Sequence, residues 1–175
     1  MQMLLYVTPQ DEIKVRPYRG YDSINDALKA RTFEVVRRDI PTGFDGRDMS
    51  LYCDEEFLIN GTDPTCNAYA SLLTVDANTG SYTPIYGNAV LLMNTTKNGE
   101  PDCRGFEAGN LDSYSEESEL AVIKKSLTHF FNNPEMKEFV NQMHADHDNN
   151  MPEPYISVEP FEDIADAFGE YENDK

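Results

Sequence analysis

Met3-Leu-Leu-Tyr-Val-Thr-Pro-Gln-Asp-Glu-Ile-Lys-Val-Arg-Pro-Tyr18 is the stretch on which the fold turns. Met3–Thr8 is an apolar run of strand length, and Pro9-Gln-Asp-Glu12 is a turn. Ile13–Tyr18 then alternates apolar with basic side chains, the period of a half-buried strand. Two strands joined by so short a turn pair antiparallel. A chain that opens on a hairpin, and not on a strand–helix–strand unit, points to an α+β domain: a small, mostly antiparallel sheet with helices on one face.

Working outward, Ser23 is placed to cap a short helix whose Ile24, Ala27 and Leu28 share one side. Thr32–Ile40 is rich in β-branched residues and reads as a strand, Pro41–Asp48 as a loop, and Leu51-Tyr-Cys53 as the start of another strand. Asp63-Pro64 is a helix-start signature, with Cys66, Tyr69, Ala70 and Leu73 following at helical spacing. Asn88–Asn94 contains the clearest strand, and Thr95–Ser113 reads as a polar loop. Two helices are expected next. Ser113 with Glu116 forms a capping box for one, with Leu120, Ile123, Leu127 and Phe130/Phe131 inward; Asn133-Pro134 starts the other, with Met136, Phe139, Val140 and Met143 inward. The expected organisation is therefore a core domain over 1–110, a two-helix extension over 111–150 and an acidic, aromatic-bearing, helical tail over 151–175.

Composition excludes several functions. The 175 residues hold 32 Asp+Glu against 14 Lys+Arg, a net charge of −18, with 39% hydrophobic residues. Direct nucleic-acid binding needs a basic face, and an anionic membrane leaflet would repel this chain. The run Ala89–Met93 is far short of a membrane helix, and the opening residues lack the basic, apolar pattern of a secretory signal. Three cysteines (Cys53, Cys66, Cys103) without a CxxC do not make a disulfide framework. The expected compartment is the cytosol. The charge is unevenly placed: residues 1–50 are neutral, 51–110 carry −6, 111–150 carry −5 and 151–175 carry −7.

Signals for catalysis are weak. His144-Ala-Asp-His147-Asp148 clusters two histidines at i, i+3, but a metal would need a third ligand, such as His129, and a solvated helix end is the plainer reading. Cys53 and Cys66 read as buried structural thiols with no histidine near them in sequence. Asp54-Glu55-Glu56 reads as a charged turn, and no phosphate-binding glycine loop occurs. No enzyme, metal or cofactor is expected. The tail is more informative. Phe161, Ile164, Ala165 and Phe168 recur at i, i+3, i+4, i+7, ringed by Glu162, Asp163, Asp166 and Glu170, the pattern of a helix that lays an apolar stripe into a groove with basic rims. That stripe can equally fold back on its own domain.

Leu51-Tyr-Cys-Asp-Glu-Glu56, Pro64-Thr-Cys-Asn67-Ala68 and Tyr86-Gly-Asn-Ala-Val-Leu91 resemble the motifs of a family of small acidic phage and mobile-element proteins that carry an uncharacterised domain. The resemblance covers roughly residues 1–95 and implies an α+β fold and a phage or mobile-element origin, without implying a reaction. By charge alone, the chain also resembles anti-CRISPR and antirestriction proteins that imitate DNA. The expected function is stoichiometric inhibition of a host defence complex, in the host cytosol. Glu116, Glu117, Glu119, Glu135, Glu138, Glu162, Asp163, Asp166 and Glu170 would occupy a basic nucleic-acid-binding surface, with Phe161 and Phe168 as anchors. The alternative is a sponge for a nucleotide signal, using a basic N-terminal pocket built from Lys14, Arg16, Arg37 and Arg38. Self-association through a free sheet edge is left open by the sequence.

Overall fold

The structure is a computed structural model that describes residues 1–43, 46–57, 64–109 and 118–150. Among these, seven strands and four helices follow in the order β1 (Gln2–Val7), β2 (Ile13–Pro17), α1 (Tyr21–Leu28), β3 (Phe33–Pro41), β4 (Asp48–Asp54), α2 (Ala68–Leu72), β5 (Ala89–Lys97), β6 (Glu100–Arg104), β7 (Phe106–Glu107), α3 (Glu119–Asn132) and α4 (Pro134–His147). The class is α+β with a mostly antiparallel sheet, as the opening hairpin implied.

The sheet runs β2-β1-β5-β4-β3, with β6 paired to β5 and β7 to β1. β1 and β2 pair antiparallel from Met3↔Pro17 to Val7↔Ile13. β5 is central: Ala89–Leu91 pair with β1, Ala89–Met93 with β4, and Met93–Lys97 with β6. The segment expected to be a loop after Thr95 instead holds two strands. Asn98 and Gly99, at φ 53° and 82°, connect β5 to β6 between the paired Lys97 and Glu100. An Asn-Gly pair takes positive φ at both positions of a tight hairpin turn at little cost. Gly105 then lets the chain cross from β5 to β1. A Cβ there would lie 2.8 Å from Gln2 Cβ and 2.9 Å from Tyr18 Cβ, so only glycine fits this close approach.

Both faces of the sheet are covered, where the sequence led us to expect helices on one face only. Leu5, Val7, Leu51, Leu91 and Met93 join α2, α3 and α4 in one core, while Leu4, Tyr52, Val90 and Leu92 pack with Ile24, Ala27 and Leu28 of α1 on the other side. Successive side chains of a strand point to opposite faces, so the unbroken runs Leu4-Leu5 and Val90-Leu91-Leu92-Met93 fill both cores at once. α3 and α4 contribute Leu120, Ile123, Leu127, Phe131, Val140 and Met143 to the same core as the strands, so residue 110 marks no boundary between cores. Tyr69 of α2 stacks on Phe131 of α3 with ring centroids 3.8 Å apart and planes 6° from parallel.

Three helix starts differ from expectation. α1 begins at Tyr21 after Gly20, and Ser23 lies inside its first turn, where its hydroxyl accepts a hydrogen bond from the Arg19 N–H. α2 is capped by Asn67 and not by the Asp63-Pro64 pair. Asn67 Oδ1 accepts from the Ala70 N–H at 3.1 Å, while its Nδ2 donates to the carbonyls of Val7 and Gly87 at 3.0 and 2.7 Å. This fully buried amide therefore closes a helix end and ties β1 to the strand approach before β5. α3 is capped by Ser118, whose hydroxyl accepts from Ala121 N–H; the capping box expected at Ser113 and Glu116 lies outside the described residues. α4 starts at Asn133-Pro134 as expected.

Candidate functional site

Glu119, expected on a partner-facing surface, is instead an internal residue. It is 7% exposed, and its carboxylate accepts from both terminal nitrogens of Arg104, at 2.7 and 3.0 Å, and from the Glu107 N–H at 3.3 Å. The Arg47 guanidinium lies 3.9 Å away. First in α3, Glu119 also places its charge at the helix end that favours it. The Glu119 hydrogen bond holds the Arg104 guanidinium above its ordinary pKa, against its own partial burial.

Glu135 and Glu138 are exposed on α4, with the exposed Lys137 between them. The outward side of α3 carries Lys124, Lys125 and His129, so the two described helices do not form a uniformly acidic face. Glu116, Glu117, Phe161, Glu162, Asp163, Asp166, Phe168 and Glu170 lie outside the described residues. The described residues hold 19 acidic and 13 basic side chains, a net −6 of the chain's −18.

The proposed basic pocket does not assemble. Lys14 and Arg16 lie on β2, at one edge of the five-strand path, and Arg37 and Arg38 on β3, at the other. Four strand spacings separate them, about 19 Å. Three of these cations are also engaged locally. Lys14 lies 3.0 Å from the Glu12 carboxylate, whose hydrogen bond raises its pKa; Arg16 donates to the Asp26 carbonyl; and Arg37 donates to Asp39 at 2.8 Å and to the Leu73 carbonyl at 2.7 Å.

The histidine pair at the end of α4 is a structural tie, not the solvated end expected from sequence. His144 lies between two carboxylates: its Nε2 is 2.9 Å from Asp11 Oδ1, and its Nδ1 is 3.2 Å from Asp148 Oδ1. Asp148 also accepts from the Cys66 N–H at 2.9 Å. Burial pulls the His144 pKa down, but hydrogen bonds and charge from Asp11 and Asp148 outweigh it, so the net shift is upward. His147 Nε2 is 2.6 Å from the Tyr82 hydroxyl. Among the described residues no group of three His, Cys, Asp or Glu is placed to hold a metal ion. Burial pushes the Cys53 thiol up to about 12, so it stays protonated and unreactive at neutral pH.

A feature that sequence reasoning missed is an apolar groove of about 560 Å³. Ile40 and Met49 of the sheet, Leu73 after α2, Leu127 of α3 and Met143 of α4 wall it, and Arg37 and Tyr82 stand among its polar lining groups. Phe130 and Phe139, both expected inward, line it while remaining 39% and 55% exposed. The sequence held one clue: Phe130 and Phe131 are adjacent, 100° apart around the helix, so when one points to the centre of the core the other stands at the edge of the apolar stripe. Its lining is mostly apolar side chains, the kind of surface that suits an apolar group. Comparison with protein-family models, curated proteins and solved structures finds no match to this chain.

Proposed function

We propose that this chain is a binding protein, not a catalyst: a phage or mobile-element product that inhibits a host defence complex of the CRISPR or restriction kind by occupying its basic nucleic-acid-binding site. The partition of charge carries this reading. The described residues hold only a third of the net charge, while the 25 residues 151–175 alone hold −7. Glu162, Asp163, Asp166 and Glu170 lie there beside Phe161 and Phe168, an acidic segment with apolar anchors. Glu116 and Glu117, and the exposed Glu135 and Glu138, add to the set; Glu119 leaves it, because Arg104 holds it inside. Carboxylates offered to a cationic cleft steer association and compete with phosphates for the same cations. The protonated Cys53 thiol argues against a cysteine nucleophile there. The origin is proposed from the motif resemblance of residues 51–56, 64–68 and 86–91 alone, and the host cytosol is the compartment this function requires.

The test is affinity capture of the tagged full chain from nuclease-treated bacterial lysate, followed by competition with duplex DNA. The expected result is a nucleic-acid-binding protein recovered in fixed stoichiometry and displaced by DNA. Recovery of partners that DNA leaves in place would refute the reading.

A further inference from the structure

Two helices bound the apolar groove along its length. Ile123, Leu127 and Phe130 line it from α3, and Met136, Phe139 and Met143 from α4. Each set runs over seven helical steps, about 10 Å or two turns. Phe130 and Phe139, one from each helix, stand exposed at its rim, an apolar surface of a kind that marks a binding groove. We propose that this groove docks a helix of a partner protein, one whose apolar stripe is flanked by basic residues. The site is built from described residues alone and does not use the acids after residue 150, so it stands or falls apart from the proposed function.

Hydrogen bonding favours a helix over an extended peptide. Three polar groups of the lining are already engaged: Arg37 donates to the Asp39 carboxylate and the Leu73 carbonyl, Thr42 donates to the Arg47 carbonyl, and the Tyr82 hydroxyl is bonded to His147. An extended chain brings backbone N–H and C=O groups that such a lining leaves unmet, whereas a helix satisfies its own. A stripe at i, i+3, i+4, i+7 also runs over seven helical steps, the length of both groove walls.

Charge sets the flanks. At about 100° per residue, Glu135 and Asp146 lie roughly 70° and 50° from the mean direction of Met136, Phe139 and Met143, so they border the groove. Both are exposed. The Asp146 charge reaches the lining: after burial, it is the next cause that raises the pKa of Tyr82. Lys137 and Glu138 lie roughly 130° away, on the far side of α4. On α3, Lys124, Lys125 and His129 stand at least about 90° from the direction of Ile123, Leu127 and Phe130. Arg37 is paired with Asp39, and the Arg47 guanidinium lies toward Glu119. Among the described residues, the α4 rim is therefore acidic, and the cations near the groove are paired or face away. Basic residues beside a docked stripe meet Glu135 and Asp146 with opposite charge. A second copy of this chain, at −18, brings like charge instead.

The test uses the isolated full chain and a fluorescein-labelled helical peptide of about 15 residues, with Leu at i, i+3, i+4 and i+7 and Lys on both sides of that stripe. Two control peptides accompany it: the same composition scrambled to destroy the stripe, and the same stripe flanked by Glu. Fluorescence anisotropy should show the leucine–lysine helix bound at least about tenfold more tightly than either control. Phe139→Ser, at a position 55% exposed, leaves the buried core intact and should weaken binding at least about tenfold. Glu135→Gln/Asp146→Asn should weaken it about threefold or more and flatten its dependence on salt. Equal binding of the striped and scrambled peptides would mark general attraction to an acidic chain and overturn the proposal, as would affinity untouched by Phe139→Ser. A Glu-flanked stripe that binds as tightly as the Lys-flanked one would overturn the basic partner. Sedimentation showing wild-type dimers and Phe139→Ser monomers would give the groove to a second copy and overturn the proposal as well. So would binding of the apolar dye ANS that Phe139→Ser abolishes while no peptide binds, the mark of a site for small apolar ligands.

Discussion

Replacing Glu119 by alanine tests whether this carboxylate holds the fold together or serves a partner. The substitution removes both acceptors of the Arg104 guanidinium at 2.7 and 3.0 Å, the acceptor of the Glu107 N–H, and the first-turn charge of α3. Removing one member of a buried ion pair costs about 3–5 kcal/mol, because the other charge is left uncompensated. Arg104 keeps 21% of its side-chain surface and its bond to the Gly105 carbonyl, so water reaches it and the lower end applies. The lost helix-terminus interaction adds about 0.5 kcal/mol. The sum is about 3.5 kcal/mol. With a urea slope of about 2 kcal/mol/M, the midpoint should fall by about 1.8 M. Circular dichroism against urea measures it, and Glu119→Ala/Arg104→Ala should recover at least about 1.5 kcal/mol relative to the sum of the single changes. A cost under about 1 kcal/mol, the value of an exposed pair, would refute the reasoning and return Glu119 to the surface acids.

Other changes test neighbouring parts of the account. Asn67→Ala deletes the cap of α2 and leaves the Val7 and Gly87 carbonyls without their side-chain donor; a loss of about 3 kcal/mol is expected in the same urea titration. Gly105→Ala forces a Cβ against Gln2 and Tyr18 and should cost about 1–3 kcal/mol, read as a lower melting temperature. His144 gains proton affinity from Asp11 and Asp148 on folding, so its contribution is fully present below pH 6.5 and lost as pH rises through its raised folded value. The stability gap between wild type and His144→Gln should therefore narrow between pH 6 and pH 8.5; a gap that stays constant or widens would contradict the tie.

The sequence resolved local pattern better than it resolved closure. The hairpin from Met3 to Tyr18, the α1 face and the Asn133-Pro134 start are written in short-range spacing, and the structure follows them. β6 and β7 were missed because Glu100–Glu107 lacks a period-2 apolar pattern: their partners β5 and β1 supply the ladder, and the legible trace was the Asn98-Gly99 turn. The unbroken apolar run at Ala89–Met93 signals a strand covered on both faces, yet nothing local says that α1 is the second cover. Glu119 looks like any surface acid until Arg104, fifteen residues away, is folded onto it. The groove is likewise a product of packing: Phe139 keeps helical period with Met136 and Met143, and only the tertiary arrangement decides that Val140 is enclosed and Phe139 is not. Lys14 and Arg37 looked like one cluster because they are near in sequence, while the strand order puts them on opposite edges.

The central claim, that the acidic segment after residue 150 carries the interaction, is tested most directly by calorimetric titration of the captured partner with two full-length proteins at rising salt. One is the wild type; the other is Glu162→Gln/Asp163→Asn/Asp166→Asn/Glu170→Gln, which keeps the apolar stripe. The account predicts that wild-type affinity falls steeply with added salt, and that the neutralised protein binds at least about tenfold more weakly with a shallower salt slope. Equal affinity and equal slope for the two proteins would contradict it.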